Sequence, residues 1–186
     1  MKFNQIVRLV NIKPKQILLI LVLGVISAYT LSLNQQKTQE SSIQGTVIKV
    51  IDGDTIDVLD SNQTKHRIRL YGIDAPEKKQ SYGNKAREFL ASLIAGKEVK
   101  VLIKNKDKYQ RSIGLILLDG MDINKEMVKN GYAWAYIEYS KDYATEEADA
   151  KSFKLGLWAD ENAIKPSEFR KKKKRKSNEN NSIQRF

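Results

Sequence analysis

The chain has 186 residues, with thirty-three Lys plus Arg against twenty-two Asp plus Glu, which is room for one domain with extensions and not for two large domains. It has no cysteine and one histidine, His66, which excludes disulfides, thiolate zinc centres, cysteine nucleophiles and two-histidine zinc motifs. The net charge of +11 is uneven: residues 1–40 carry +4, residues 41–169 are neutral, and residues 170–186 carry +7.

The N-terminus sets Lys2, Arg8, Lys13 and Lys15 ahead of an uncharged run, Ile17 to Leu33. As a helix those residues span about 25 Å, the low end of what crosses a bilayer. The run is apolar on every face, so residues 1–33 are expected to be either a cleaved signal peptide or a retained membrane anchor. In both cases the domain is exported, and if the segment is kept it holds the protein at the membrane through residues 17–33. Residues 34–43 are polar and lack periodicity, which predicts a linker.

The domain is expected over residues 44–169. GTVIKVI and TIDVL are short β-branched runs split by Asp52-Gly53-Asp54, and HRIRLYGI follows the turn-forming Asp60 to Gln63. Alternation puts Arg67 and Arg69 on one face of that third strand and Ile68 and Leu70 on the other. Phe89, Leu90, Leu93 and Ile94 mark a helix over 84–95, with Gly96 as its stop. EVKVLI and RSIGLILL are two further strands joined by Asn105 to Lys108. Asn124 reads as the N-cap of a short helix ended by Gly131, YAWAYIEY as a strand or extended segment, and a third helix runs from about Asp142 to Gly156. The prediction is an α+β fold: a five-stranded β-barrel of the oligonucleotide-binding type with three helices, preceded by an N-terminal hydrophobic helix. Residues 170–186, opening with RKKKKRK, are expected to be a basic, disordered tail able to meet phosphate or anionic lipid.

Two groups of residues carry chemistry. Asp54 follows the first tight turn and Asp74 ends the third strand before a proline; with Glu77 they are an all-oxygen set, which suits calcium or magnesium and not zinc or copper. Arg69 and Arg111 are guanidinium forks on strands that otherwise bury apolar groups, and such forks grip phosphodiester oxygens. Taken singly, each piece also reads as an ordinary turn, strand end or salt bridge. Trp134 and Trp158 read as core, and His66 as exposed.

In order, VIDGDTIDV (Val50 to Val58), RLYGIDAPE (Arg69 to Glu77), SYGNKAREF (Ser81 to Phe89), DKYQR (Asp107 to Arg111) and GLWAD (Gly156 to Asp160) closely resemble the staphylococcal nuclease family. The resemblance covers about residues 44–160. It implies the five-stranded barrel and a calcium-dependent endonuclease that hydrolyses DNA and RNA with little sequence preference, cutting the bond to the 5′ oxygen and leaving 3′-phosphates. It implies that Asp54, Asp74 and the backbone carbonyl of Ala75 hold calcium, with Asp52 behind them. Arg69 and Arg111 would hold the scissile phosphate, and Glu77 would accept a proton from the attacking water. Lys108 and Tyr109 would contact the nucleotide, as would Tyr136 or Tyr139. The protein is expected to be a monomer. Ala75 stands where a well-known member has threonine, Gln110 stands where glycine often precedes the second arginine, and the loop Lys78 to Ser81 is short. The competing expectation is a non-catalytic nucleic-acid-binding barrel held at the membrane.

Overall fold

A computed structural model describes residues 13–36, 41–107, 109 and 111–183. Lys108 and Gln110, both singled out above, lie outside the described residues. The chain divides into two units, residues 1–40 and residues 41–186. In the first, helix α1 (Pro14–Gln36) opens behind Lys13, whose N–H donates to Gln16 Oε1 at 2.9 Å. It contains the apolar run; among the described residues no helix is long and apolar enough to cross a membrane. The expected linker 34–43 is trimmed at both ends, since α1 continues to Gln36 and the first strand begins at Ser42.

In the second unit the β-branched runs pair as expected. β1 (Ser42–Asp52), β2 (Thr55–Asp60), β3 (Lys65–Leu70), β5 (Glu98–Lys106) and β6 (Ser112–Leu118) are joined antiparallel in the order β3-β2-β1-β5-β6, and β3 and β6 then pair in parallel to close a five-stranded barrel. Two-residue strands β4 (Ile73–Asp74), β7 (Met121–Asp122) and β8 (Trp134–Ala135) add local pairings. The helices are α2 (Gly83–Ile94), α3 (Ile123–Lys129), α4 (Ala144–Ser152) and α5 (Pro166–Ile183), with a single 3₁₀ turn at Gly156–Ala159.

The barrel interior is filled by Ile56, Val58, Ile68, Leu70, Val101 and Ile116, all fully or almost fully buried. α2 closes one end with Ala86, Leu90 and Ile94. Burying Leu90 and Ile94 contributes about 1.5–3 kcal/mol each. Phe89, on the same predicted stripe, is only partly buried and stacks on Tyr132 at 4.1 Å between ring centroids.

Three expectations are corrected. Asn124 is not a helix cap: Asp122 caps α3 by accepting from the Lys125 N–H at 2.9 Å. Asn124 is fully buried at the second helical position, where its amide accepts from Ile116 N–H at 3.1 Å and donates to the carbonyls of Tyr71 (2.9 Å) and Gly114 (3.1 Å). It therefore ties α3 to the closing strand and to the chain leaving β3. Asn124→Ala is expected to cost at least about 2 kcal/mol in urea unfolding, because it leaves those buried backbone groups without partners. The segment YAWAYIEY is a strand only at Trp134–Ala135, paired with β4, and turns afterwards. Residues 170–183, expected as disordered tail, continue helix α5, which starts at Pro166 where a missing N–H costs nothing.

Candidate functional site

Strand register assembles the site. Thr55 pairs with Arg69 across β2 and β3, and Arg69 pairs with Ile113 across the parallel seam between β3 and β6. Asp54 therefore precedes, and Arg111 lies two residues before, the direct neighbours of Arg69. Gly53 makes the turn between the acids possible: a Cβ there would fall 2.7 Å from the Ala75 Cβ and 2.8 Å from the Ala86 Cβ. The turn thus packs against both the strand end that carries Asp74 and helix α2. Gly83 has the same function at the next loop, where a Cβ would collide with the carbonyl of Glu77. The short Glu77 loop is pressed onto the start of α2.

Arg69 forks between two buried carboxylates. Its guanidinium pairs with Asp54 Oδ1 and donates to Asp74 Oδ1 at 3.0 Å and to the Ile73 carbonyl at 3.3 Å. Burial pushes the Arg69 pKa below its ordinary value, against the pull of Asp74 and Asp52. Asp54 Oδ2 accepts from the Ala75 N–H at 2.9 Å, and Asp52 accepts from the Asp54 N–H at 3.1 Å. Burial raises the Asp52 carboxyl above its usual range. Asp52, expected behind the other two acids, lines the cleft itself and is less buried than Asp54 or Asp74.

Arg111 is anchored on its own loop. Asp107 accepts from its backbone N–H at 2.9 Å and from Nε at 2.6 Å. Partial burial opposes ionisation of Asp107, but these bonds and one from the Tyr109 N–H hold its carboxyl below the usual range. Tyr109 lies with its ring centroid 5.7 Å from the Arg111 guanidinium carbon.

A third guanidinium enters from α5. Arg170 donates to Glu77 Oε1 at 2.7 Å, to Asp74 Oδ2 at 3.0 Å and to Asp74 Oδ1 at 3.3 Å. These two carboxylates raise its pKa further despite burial, so it stays charged. Gln80 fixes the helix that carries it. Its Oε1 accepts from the Glu77 N–H at 3.2 Å while its amide donates to the Ile164 carbonyl at 2.7 Å, so one buried side chain binds the Glu77 loop to the start of α5.

These groups surround a cleft of about 640 Å³ lined by Asp52, Asp54, Arg69, Ala75, Glu77, Arg111 and Arg170, with Tyr109, Tyr136 and Tyr139 among its walls. Pairing of β4 with β8 and the Tyr136 N–H to Gly72 carbonyl bond (2.8 Å) bring the last two tyrosines here. Their rings stack at 6.2 Å, so both candidates line the cleft. Of the nine residues expected to form the site, the structure gathers Arg69, Glu77, Arg111, Asp54, Asp74, Ala75, Tyr109 and Tyr136; Lys108 is not described. Asp54, Asp74 and the Ala75 carbonyl are oxygen donors of the kind a hard divalent cation takes; in this structure Arg69 and the Ala75 N–H engage Asp54, and Arg69 and Arg170 engage Asp74. Among the described residues no three His, Cys, Asp or Glu side chains gather as a metal cluster. Chemically, the cleft offers fixed positive forks for an oxyanion beside an exposed carboxylate.

The sequence reading missed Arg170 and Gln80. Arg170 opens a run of seven basic residues and has no mark of its own; the available signal was helical spacing from Pro166, which puts Arg170, Lys173, Lys174 and Ser177 on one face. His66, expected on an exposed face, is half-buried, with Nε2 2.8 Å from Asp60 Oδ2. Trp134 is buried and packs edge-on against Trp158 at 5.0 Å, in keeping with a core role.

A family profile described as "Staphylococcal nuclease homologue" matches residues 67–160. The chain is 42% identical over 130 residues to a Haemophilus influenzae protein named "Uncharacterized endonuclease", covering 69% of this chain and 73% of that protein. It is 43% identical over 136 residues to a protein of the same name from Escherichia coli O157:H7, covering 72% and 88%. To a "Micrococcal nuclease" of Shigella flexneri it is 39% identical over 151 residues, covering 74% and 86%.

Proposed function

Because the chain belongs to the staphylococcal nuclease family, we propose that it is an exported, calcium-dependent nuclease that hydrolyses phosphodiester bonds of DNA and RNA with little sequence preference. One observation carries this reading: Arg69, Arg111 and Glu77 line a single cleft with Asp54 and Ala75, and Asp74 is joined to it through Arg69.

Asp107 occupies Nε of Arg111 and leaves its two terminal nitrogens for phosphate oxygens. Arg69, held rigidly by its acids, presents the second positive charge. Together they bind the scissile phosphate and neutralise the charge that grows as phosphorus becomes five-coordinate. Glu77 gives Oε1 to Arg170, so Oε2 is the oxygen that accepts a proton from the attacking water. Asp54, Asp74 and the Ala75 carbonyl would hold the cation, which when bound would supply positive charge beside the phosphate. Tyr109, Tyr136 and Tyr139 offer ring faces to bases without reading their edges, and Lys108 is assigned to a flanking phosphate. The basic residues and apolar run ahead of the domain support export, with the domain outside the cytoplasm.

The purified protein is expected to shorten single-stranded DNA in calcium, to stop when the ion is chelated, and to resume when calcium is restored. Cleavage that survives chelation overturns the calcium assignment. Binding without shortening identifies the non-catalytic alternative.

A further inference from the structure

The central cleft does not end at Glu77 and Arg170. These two residues also line a second groove of about 500 Å³, between the Glu77 loop and α5, whose other walls are Lys78, Lys79, Phe169, Lys173, Lys174, Ser177 and Asn178. Its one carboxylate, Glu77, is already paired with Arg170. Among the described residues none of the four lysines is in an ion pair with a carboxylate, so the groove presents four ammonium groups and two neutral polar side chains. That composition excludes a cationic ligand and a purely apolar one, and fits repeated anions.

The groove also has fixed walls. The loop is pressed onto α2 at Gly83 and tied to the start of α5 by Gln80, and Arg170 clamps the helix to Asp74 and Glu77. Helical spacing then places Lys173 and Lys174 one turn beyond Arg170, facing Lys78 and Lys79 across the groove. We propose that this groove is a nucleic-acid backbone subsite, which takes the phosphates of the strand beyond the one held by Arg69 and Arg111. The proposal rests on the nuclease reading and extends it: the favoured substrate is a strand several nucleotides long. Continuity with the central cleft favours a strand over an anionic membrane, because a lipid headgroup has no next phosphate to pass into the adjoining site.

The test measures binding by fluorescence anisotropy in chelator, where no cleavage occurs, using a 4-nucleotide and a 16-nucleotide single-stranded DNA. Lys173→Ala/Lys174→Ala is expected to weaken the 16-mer about tenfold and the 4-mer far less. It also lowers the salt dependence of 16-mer binding by about 1.4 in the slope of log K against log salt, the value for two lost phosphate contacts on a single strand. A control that removes the same charge elsewhere, Lys49→Ala/Lys100→Ala, keeps the ratio of the two affinities. Equal loss in both double variants, or no loss in the groove variant, overturns the proposal. So does a groove variant that loses binding to phosphatidylserine vesicles while holding the 16-mer as before, which assigns the surface to lipid. The unaltered protein is assayed for cleavage in calcium alongside: if it does not cut, the nuclease reading falls and the groove's place in it falls too. If it cuts and the 16-mer affinity is unmoved by the variant, only the groove is lost.

Discussion

Glu77→Gln is expected to lower kcat by about a hundred- to ten-thousandfold with little change in KM or in urea unfolding. Glutamine has the same shape and keeps an oxygen for the 2.7 Å bond from Arg170, so the loop stays where Gln80 and Gly83 hold it. What it cannot do at neutral pH is accept the proton of an attacking water. The side chain is 40% exposed, so no buried charge is lost and the fold is not at risk. On the proposed reading substrate is held by Arg69 and Arg111, which the change does not touch, so the loss is expected to fall on turnover. Near-normal turnover by this variant would remove Glu77 from the chemistry.

Arg69 is a different case, because on the proposed reading it serves the fold and the reaction together. Its guanidinium sits between Asp54 and Asp74, which are 6% and 4% exposed. Arg69→Ala leaves two buried carboxylates facing each other with one cation removed, a change worth about 3–5 kcal/mol when a buried pair is broken. It is expected both to abolish cleavage and to lower the urea midpoint. Arg69→Lys separates the two effects: the charge remains, so most stability is kept, but an ammonium cannot span two acids and a phosphate as a planar fork does. Its rate is expected to fall about a hundred- to a thousandfold, as for loss of one transition-state donor. If the lysine variant is as active as the native protein, Arg69 is a structural counter-charge only.

The strands were legible because β-branched runs are separated by Asp- and Gly-rich turns, and Arg69 stood out because alternation placed a charge where its neighbours are buried. Asn124 was misread because one short amide serves equally well as a cap or as a buried bridge; only the burial of Ile116 N–H and the two carbonyls decides between them. The turn after Ala135 was hidden since Trp134 and Ala135 pair with a strand of only two residues, too short to leave a periodic trace. Arg170 was invisible for a compositional reason. Identical neighbours give a polybasic run no internal contrast, and the ion pair with Asp74 crosses 96 positions of sequence.

The parallel seam of Ile68, Arg69 and Leu70 with Ser112, Ile113 and Gly114 joins the third barrel strand to the fifth, with β4, helix α2 and β5 between them in the chain. Such a distant pairing costs more loop-closure entropy than the hairpins beside it. Arg69 lies in that seam and Arg111 immediately before it, so a chain whose barrel is still open does not bring the two guanidinium groups together.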